Sequence, residues 1–143
     1  MKFRYSISEK WSSQEIIWVM SALEFAVRFY EISDEKATLM CKMITGTEEP
    51  CEATADRIKG KRFELRLNRS QLTSKPAIIK AVMHEMTHVK QFINDGLRLY
   101  SKAAKFQGKQ YDMLNAVDYW FAPWEMEARA MEEPLYRLYE EEQ

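Results

Sequence analysis

A helix-compatible run that opens at Lys75-Pro76 and stops at Asn94-Asp95-Gly96 constrains this sequence more than any other stretch. Pro76 suits the first turn of a helix, and Gly96 lies where a helix stop signal is expected. The run contains the only two histidines of the chain, His84 and His88, which are four residues apart. Residues at positions i and i+4 share one side of a helix, so both imidazoles are expected to reach the same point in space.

The spacing of the two histidines predicts a metal site. Two neutral imidazole nitrogens on one side of a helix suit Zn²⁺. Glu85 follows His84 directly and lies about 100° from it around the helix axis, so its carboxylate is expected beside the metal and not on it. In that position Glu85 can accept a proton from water as a general base.

The helical wheel of this run argues against the alternative, in which the histidines are hydrogen-bonded core residues. The histidines lie on a stripe with two small residues, Ala77 and Ala81, which is turned away from the apolar stripe. Small side chains on that side allow another helix or a substrate to approach closely. The apolar stripe itself consists of Ile78, Val82, Met86, Val89 and Ile93.

Length and charge narrow the class of protein. With 143 residues, of which 46% are hydrophobic and 30% charged, the chain is expected to form one soluble globular domain over residues 1–143. A formal net charge of -1 gives little electrostatic attraction for nucleic acid or an anionic membrane, so neither is expected as a partner.

Two further features predict a cytoplasmic location. No stretch approaches the roughly 18 consecutive apolar residues of a membrane span, and the first residues lack the pattern of a secretory signal. In a reducing compartment the two cysteines, Cys41 and Cys51, are expected to stay free as small buried hydrophobic residues. Their spacing does not suit a structural zinc site.

The hydrophobic patterns along the chain predict an α+β fold. A first helix is expected from Ser12 to about Tyr30, because Ser12 and Glu15 have the spacing of a capping box. A last helix is expected from Pro123 to about Tyr139, with Pro134 as a potential kink. Three strands are predicted at Ala37–Ile44, Cys51–Ile58 and Arg62–Asn68, and a loop or short hairpin at Leu97–Tyr111.

Catalytic zinc usually has three protein ligands, and the chain has no third histidine. A carboxylate is therefore expected as the third ligand. Glu125 and Glu127, which open the last predicted helix, are the two candidates. The competing interpretation is that both carboxylates only interact favourably with the dipole of the helix.

Two motifs resemble those of the zincin metallopeptidases, specifically the gluzincins, whose third ligand is a glutamate. Residues 84–91, HEMTHVKQ, resemble the zinc helix, and residues 123–128, PWEMEA, resemble the downstream glutamate helix of small zincin-like proteins from bacteriophages and bacteria. The Glu-x-x-Ala pattern of that helix selects Glu125, with Ala128 as the small residue, and leaves Glu127 as the alternative ligand.

The resemblance also implies a fold and an activity. The fold is a minimal zincin-like domain with an N-terminal helix, a three-stranded, mainly antiparallel sheet, the zinc helix and a C-terminal ligand helix. The activity is zinc-dependent hydrolysis of a protein or peptide substrate that lies along a sheet edge, in the cytoplasm of the bacterium or of the host of a phage. The alternatives are a non-catalytic zinc-binding module that acts in protein–protein interaction and a metal-free helical protein.

Overall fold

A computed structural model describes residues 2–8, 11–45 and 52–143. Within these residues the chain forms four helices and two sheets, so the predicted mixture of helix and strand is confirmed. The helices are α1 (Ser13–Phe29), α2 (Lys75–Asn94), α3 (Ala116–Trp120) and α4 (Pro123–Glu141). The strands are β1 (Arg4–Ile7), β2 (Thr38–Ile44), β3 (Ala53–Lys59), β4 (Arg62–Asn68), β5 (Arg98–Leu99), β6 (Ala103–Phe106) and β7 (Lys109–Asp112).

The larger sheet differs from the predicted one in strand number and in direction. Among the described residues it has four strands in the order β1-β2-β4-β3, and β1 was not predicted, because four residues are too few to show a clear alternation. Strands β1 and β2 pair in parallel, as do β2 and β4, and only β3 and β4 pair antiparallel. The expectation of a three-stranded, mainly antiparallel sheet was therefore wrong.

A hairpin joins β3 and β4. Gly60 in its turn has a φ of +56°, a left-handed conformation that glycine adopts without a steric penalty. The hairpin pairs β4 with β3 on one side, so β2 pairs with the other side of β4 and β3 becomes the outer strand. The N-terminal β1 then pairs with the remaining edge of β2.

One face of this sheet is buried. Along β4, Phe63, Leu65 and Leu67 are buried, as the alternation of that stretch predicted. Cys41 on β2 is fully buried and free, and burial raises the pKa of its thiol to about 12, so the expectation for this cysteine is confirmed. Cys51 lies outside the described residues.

The helices α1 and α2 share one hydrophobic core with the buried face of the larger sheet. The predicted capping box of α1 is present, with Ser12 and Glu15 bonded reciprocally. Helix α2 has the predicted bounds, and the Ser74 hydroxyl accepts a hydrogen bond from the amide of Ala77. Of its predicted apolar stripe, Ile78, Val82, Met86 and Val89 are buried. Within the described ranges, no helix combines the length and apolarity needed to cross a bilayer.

The segment predicted as a loop or short hairpin forms a hairpin of β6 and β7, which β5 extends to a second, three-stranded sheet. Strands β5, β6 and β7 are antiparallel neighbours, and Gly108 turns β6 into β7 with a φ of +79°. This sheet has a small hydrophobic core of its own with the start of α4, formed by Leu97, Ala104, Phe106, Ala122 and Trp124. Because Trp124 is buried there, the core anchors the first turn of α4.

Helix α4 begins at Pro123, as predicted, and continues through Pro134 to Glu141. Proline lacks the amide hydrogen that would bond to the preceding turn, yet the helical assignment is continuous. Leu135 and Tyr139 on the far half of the helix are buried in the main core. The helix is therefore fixed at both ends, by Trp124 in the small core and by Tyr139 in the large one.

Candidate metal centre

The two histidines of α2 and one carboxylate of α4 meet between these helices. Nε2 of His84 lies 3.3 Å from Oε1 of Glu125, and Nε2 of His88 lies 3.1 Å from Oε2 of the same side chain. The centroids of the two imidazole rings are 5.0 Å apart. His88 and Glu125 are buried, at 6% and 5% exposure, so the contact between these two side chains is shielded from water.

The structure places the alternative ligand, Glu127, away from the histidines. Its Oε1 accepts hydrogen bonds from Nε2 of Gln91 at 2.7 Å and from Nζ of Lys90 at 3.1 Å. Of the two candidate carboxylates, therefore, only Glu125 is brought to both imidazoles. Glu127 belongs to a hydrogen-bonded network beside them.

Each imidazole is also held at its second nitrogen. Nδ1 of His84 lies 2.7 Å from Oε2 of Glu132, and Nδ1 of His88 lies 2.8 Å from Oε1 of Gln91. The sequence interpretation gave neither partner a role. The sequence spacing could have identified both partners. Glu132 follows Glu125 by seven residues on the same helix face, and Gln91 follows His88 by three.

This arrangement fits a bound cation. Histidine ligands of metals almost always donate their second N–H to a carboxylate, carbonyl or water, and Nδ1 of both histidines faces such an oxygen here. With the proton on Nδ1, Nε2 of a neutral imidazole presents a lone pair to Glu125, and the two acceptors repel each other unless a proton or a metal ion lies between them. At a tetrahedral zinc with bonds of about 2.0–2.1 Å, ligand atoms are about 3.3–3.4 Å apart. Here each Nε2 lies at a similar distance from a different oxygen of Glu125, 3.3 Å for His84 and 3.1 Å for His88.

The pKa values of these side chains follow from the same contacts. Burial lowers the pKa of His84, but hydrogen bonds to Glu125 and Glu132 outweigh it and raise the value to about 10. Burial also lowers the pKa of His88, and the hydrogen bond to Glu125 outweighs it, so this pKa is raised as well. Burial alone would raise the pKa of Glu125, but its hydrogen bonds to the two histidines outweigh burial and lower the pKa to about 2. The carboxylate thus strongly favours positive charge at both imidazoles.

Glu85 has a different environment from Glu125. It is 4% exposed and has no hydrogen-bond partner within residues 2–8, 11–45 and 52–143. Burial raises the pKa of its carboxyl group to about 7, and the two histidines partly oppose this shift. One potential ligand atom from each of His84, Glu85 and His88 lies within 4.8 Å of the others. Glu85 is therefore beside the imidazoles without bonding to them.

A cleft of about 370 Å³ opens onto these groups. His84, Glu85 and Glu125 line it together with aromatic side chains of α3, Tyr119 and Trp120. Among the tyrosines of the described residues, Tyr119 is the one that lines the cleft.

The positively charged side chain of Arg129 also lines this cleft. The guanidinium of Arg129 lies 3.9 Å from the centroid of the Trp120 ring and donates a hydrogen bond to the carbonyl of Trp120. These two contacts hold Arg129 against α3, and both residues line the cleft.

The pKa shifts predict that protein stripped of metal by a chelator is most stable in mildly acidic solution. The raised values of His84 and His88 contribute stability that is fully present below their unfolded value of 6.5 and is lost as the pH rises through the folded values. The lowered value of Glu125 contributes stability that is present above 4.5 and is lost as the pH falls through about 2. The Tm should therefore peak between about pH 4.5 and 6.5.

Thermal unfolding across this pH range, compared with that of a Glu125→Gln variant, isolates the contribution of the carboxylate. The difference in Tm between the wild type and Glu125→Gln should decrease below about pH 4.5 and above about pH 6.5. An advantage that grows from about pH 6 to about pH 9 would contradict the pKa shifts.

Comparison of the chain with family models, curated proteins and solved structures gives no match. The resemblance to zincin metallopeptidases therefore stays a prediction from two short motifs. What the site can do has to be inferred from its own atoms.

Proposed function

We propose that this chain is a zinc-dependent peptidase in which His84, His88 and Glu125 hold the ion and Glu85 is the general base. The observation that carries the proposal is the convergence of both Nε2 atoms on the two oxygens of one buried carboxylate. Three protein ligands with one position left open are typical of catalytic zinc. The cleft beside His84 supplies the access that such an open position needs.

The chemistry follows from the neighbouring groups. When bound, zinc lowers the pKa of a water molecule towards ~7 and polarises a carbonyl group. Glu85 accepts a proton from the attacking water and then transfers it to the amide nitrogen as the C–N bond breaks. Burial raises the pKa of Glu85 to about 7, which suits a group that must take up and release a proton near neutral pH.

A peptide substrate can reach the site along β3. This strand is the last in the sheet order, so among the described strands its outer edge has no partner. Glu52 and Ala53, at the start of the strand, line the same cleft as His84. We infer that an extended peptide pairs with this edge, as in other cases of strand addition, with Tyr119 and Trp120 forming the opposite wall.

The state of Glu85 favours a peptidase over a non-catalytic zinc module. Among the described residues none donates a hydrogen bond to the carboxylate of Glu85, so its oxygens are open to a water molecule or a substrate in the cleft. A structural site has no use for a base and usually fills the fourth position with a protein ligand. Glu85 lines the cleft, where its carboxylate can meet a substrate and a water molecule.

A cleavage assay on zinc-loaded protein tests the proposed function. The protein is incubated with a mixture of random peptides, and new termini are identified by mass spectrometry. Cleavage should occur, should stop when a zinc chelator is added and should return when zinc is restored. A zinc-loaded protein that cleaves no peptide and no unfolded protein substrate would overturn the peptidase assignment.

A further inference from the structure

Gln91 connects a histidine on one helix to the glutamate-bearing helix beside it. The side chain is fully buried, at 0% exposure. Its Oε1 lies 2.8 Å from Nδ1 of His88, and its Nε2 donates to the carbonyl of Trp124 at 3.0 Å and to Oε1 of Glu127 at 2.7 Å. A buried amide therefore has three partners, two of them on α4.

The partners fix the orientation of the amide. The Trp124 carbonyl and the Glu127 carboxylate are acceptors only, so the NH₂ group of Gln91 must face them. The carbonyl oxygen of the amide then faces His88 and accepts a hydrogen bond. Nδ1 of His88 must therefore carry a proton, and in the neutral ring Nε2 keeps the lone pair that faces Glu125.

Lys90 contacts Glu127, the carboxylate that accepts a hydrogen bond from Gln91. Its ammonium group lies 3.1 Å from Oε1 of Glu127 and 2.8 Å from Oδ2 of Asp95. The Lys90 ammonium group and the Gln91 amide both donate hydrogen bonds to the Glu127 carboxylate, so Glu127 is the acceptor in both contacts. The orientation of Gln91 is thus maintained by charge as well as by burial.

We propose that Gln91 is a positioning residue, which holds His88 in the metal-binding tautomer and joins it to the first turn of α4. The inference rests on the proposed function, since it assigns His88 and Glu125 as ligands of one ion. Trp124, whose carbonyl accepts from Gln91, directly precedes Glu125. One amide therefore sets the position of two ligands from different helices. Glu127 has an indirect role, as the acceptor that orients the amide.

The test compares Gln91→Met, which keeps the volume of the side chain and removes its hydrogen bonds, with Thr87→Val. Thr87 is a matched control, because it is buried on the same helix and its hydroxyl bonds to Tyr30 and to the Met83 carbonyl, away from the histidines. Both variants lose buried hydrogen bonds and are expected to lower Tm. Circular dichroism establishes that each is folded.

Two readouts separate positioning from general destabilisation. Competition with a chromogenic chelator should show that Gln91→Met weakens zinc binding by about 10- to 100-fold, the usual effect of losing an outer partner of a ligand, while Thr87→Val changes it little. Long-range ¹H–¹⁵N NMR should detect a protected proton on Nδ1 of His88 in the wild type and in Thr87→Val. That proton should exchange rapidly in Gln91→Met.

The NMR readout decides the inference even if zinc binding fails. It can be recorded on chelator-treated protein, so a wild type without zinc affinity would overturn the proposed function and still report on Gln91. A His88 ring whose Nδ1 carries no proton in the folded wild type would overturn the positioning role. Equal zinc affinity in Gln91→Met and the wild type would overturn it as well.

Discussion

Replacing Glu85 by glutamine should leave the fold and the zinc affinity intact and reduce kcat/KM on a cleaved peptide by roughly 10²- to 10⁴-fold, the typical contribution of a positioned general base. Glutamine has the shape of glutamate but cannot take up the proton of the attacking water. The substitution also removes a buried carboxyl group whose ionisation is disfavoured, since burial raises its pKa to about 7. The Tm is therefore expected to stay level or rise.

The matched control for this variant is Glu24→Gln, which makes the same chemical change at an exposed position on α1. It should be fully active, because no charged group of the cleft depends on it. Glu85→Gln protein that cleaves the peptide at the wild-type rate would show that another group moves the proton. Glu85→Gln protein that loses its zinc would show that Glu85 is a ligand and not the base.

The second large effect is expected at Glu125. Zinc sites of proteins have apparent binding free energies of about 10–16 kcal/mol, shared among three or four ligands, so losing one ligand should weaken binding by at least roughly 10²- to 10³-fold. Glu125→Ala also leaves the two histidines without the carboxylate that they contact at 3.1 and 3.3 Å. Zinc affinity is measured by competition with a chelator.

Glu127→Ala is the comparison variant within the same helical turn. Glu127 contacts Gln91 and Lys90 and not the imidazoles, so its loss acts on zinc only through the orientation of Gln91 and should weaken binding by less than about 10-fold. The reverse result, with zinc lost in Glu127→Ala and retained in Glu125→Ala, would show that α4 is placed differently against α2. It would leave the roles of His84 and His88 unchanged.

The sequence predicted the local part of the site because its determinants are local. The spacing of His84 and His88 fixes their common side once the segment is helical, and the bounds of that helix were readable from Pro76 and Gly96. The preference for Glu125 came from a family pattern and not from geometry. Its contacts with the imidazoles depend on how α4 packs along α2, which spacing within one helix does not determine.

The sheet was harder to predict because its order depends on contacts between distant segments. The alternation of β4 gave its buried face correctly, yet nothing in that stretch shows that β2 pairs with it in parallel. The second sheet was missed because β5, β6 and β7 are two to four residues long, too short for a periodic pattern. Its small core around Trp124 is nevertheless what anchors the glutamate helix.

The most direct test of the central claim is the zinc content of the purified protein at equilibrium. Protein prepared without chelators is dialysed against a small excess of zinc, then against metal-free buffer, and analysed for zinc and for protein concentration. The wild type should retain about one zinc ion per chain, and His84→Ala should retain almost none. Wild-type protein that is folded but holds no zinc, before and after this reconstitution, would contradict the account of the site and of its chemistry.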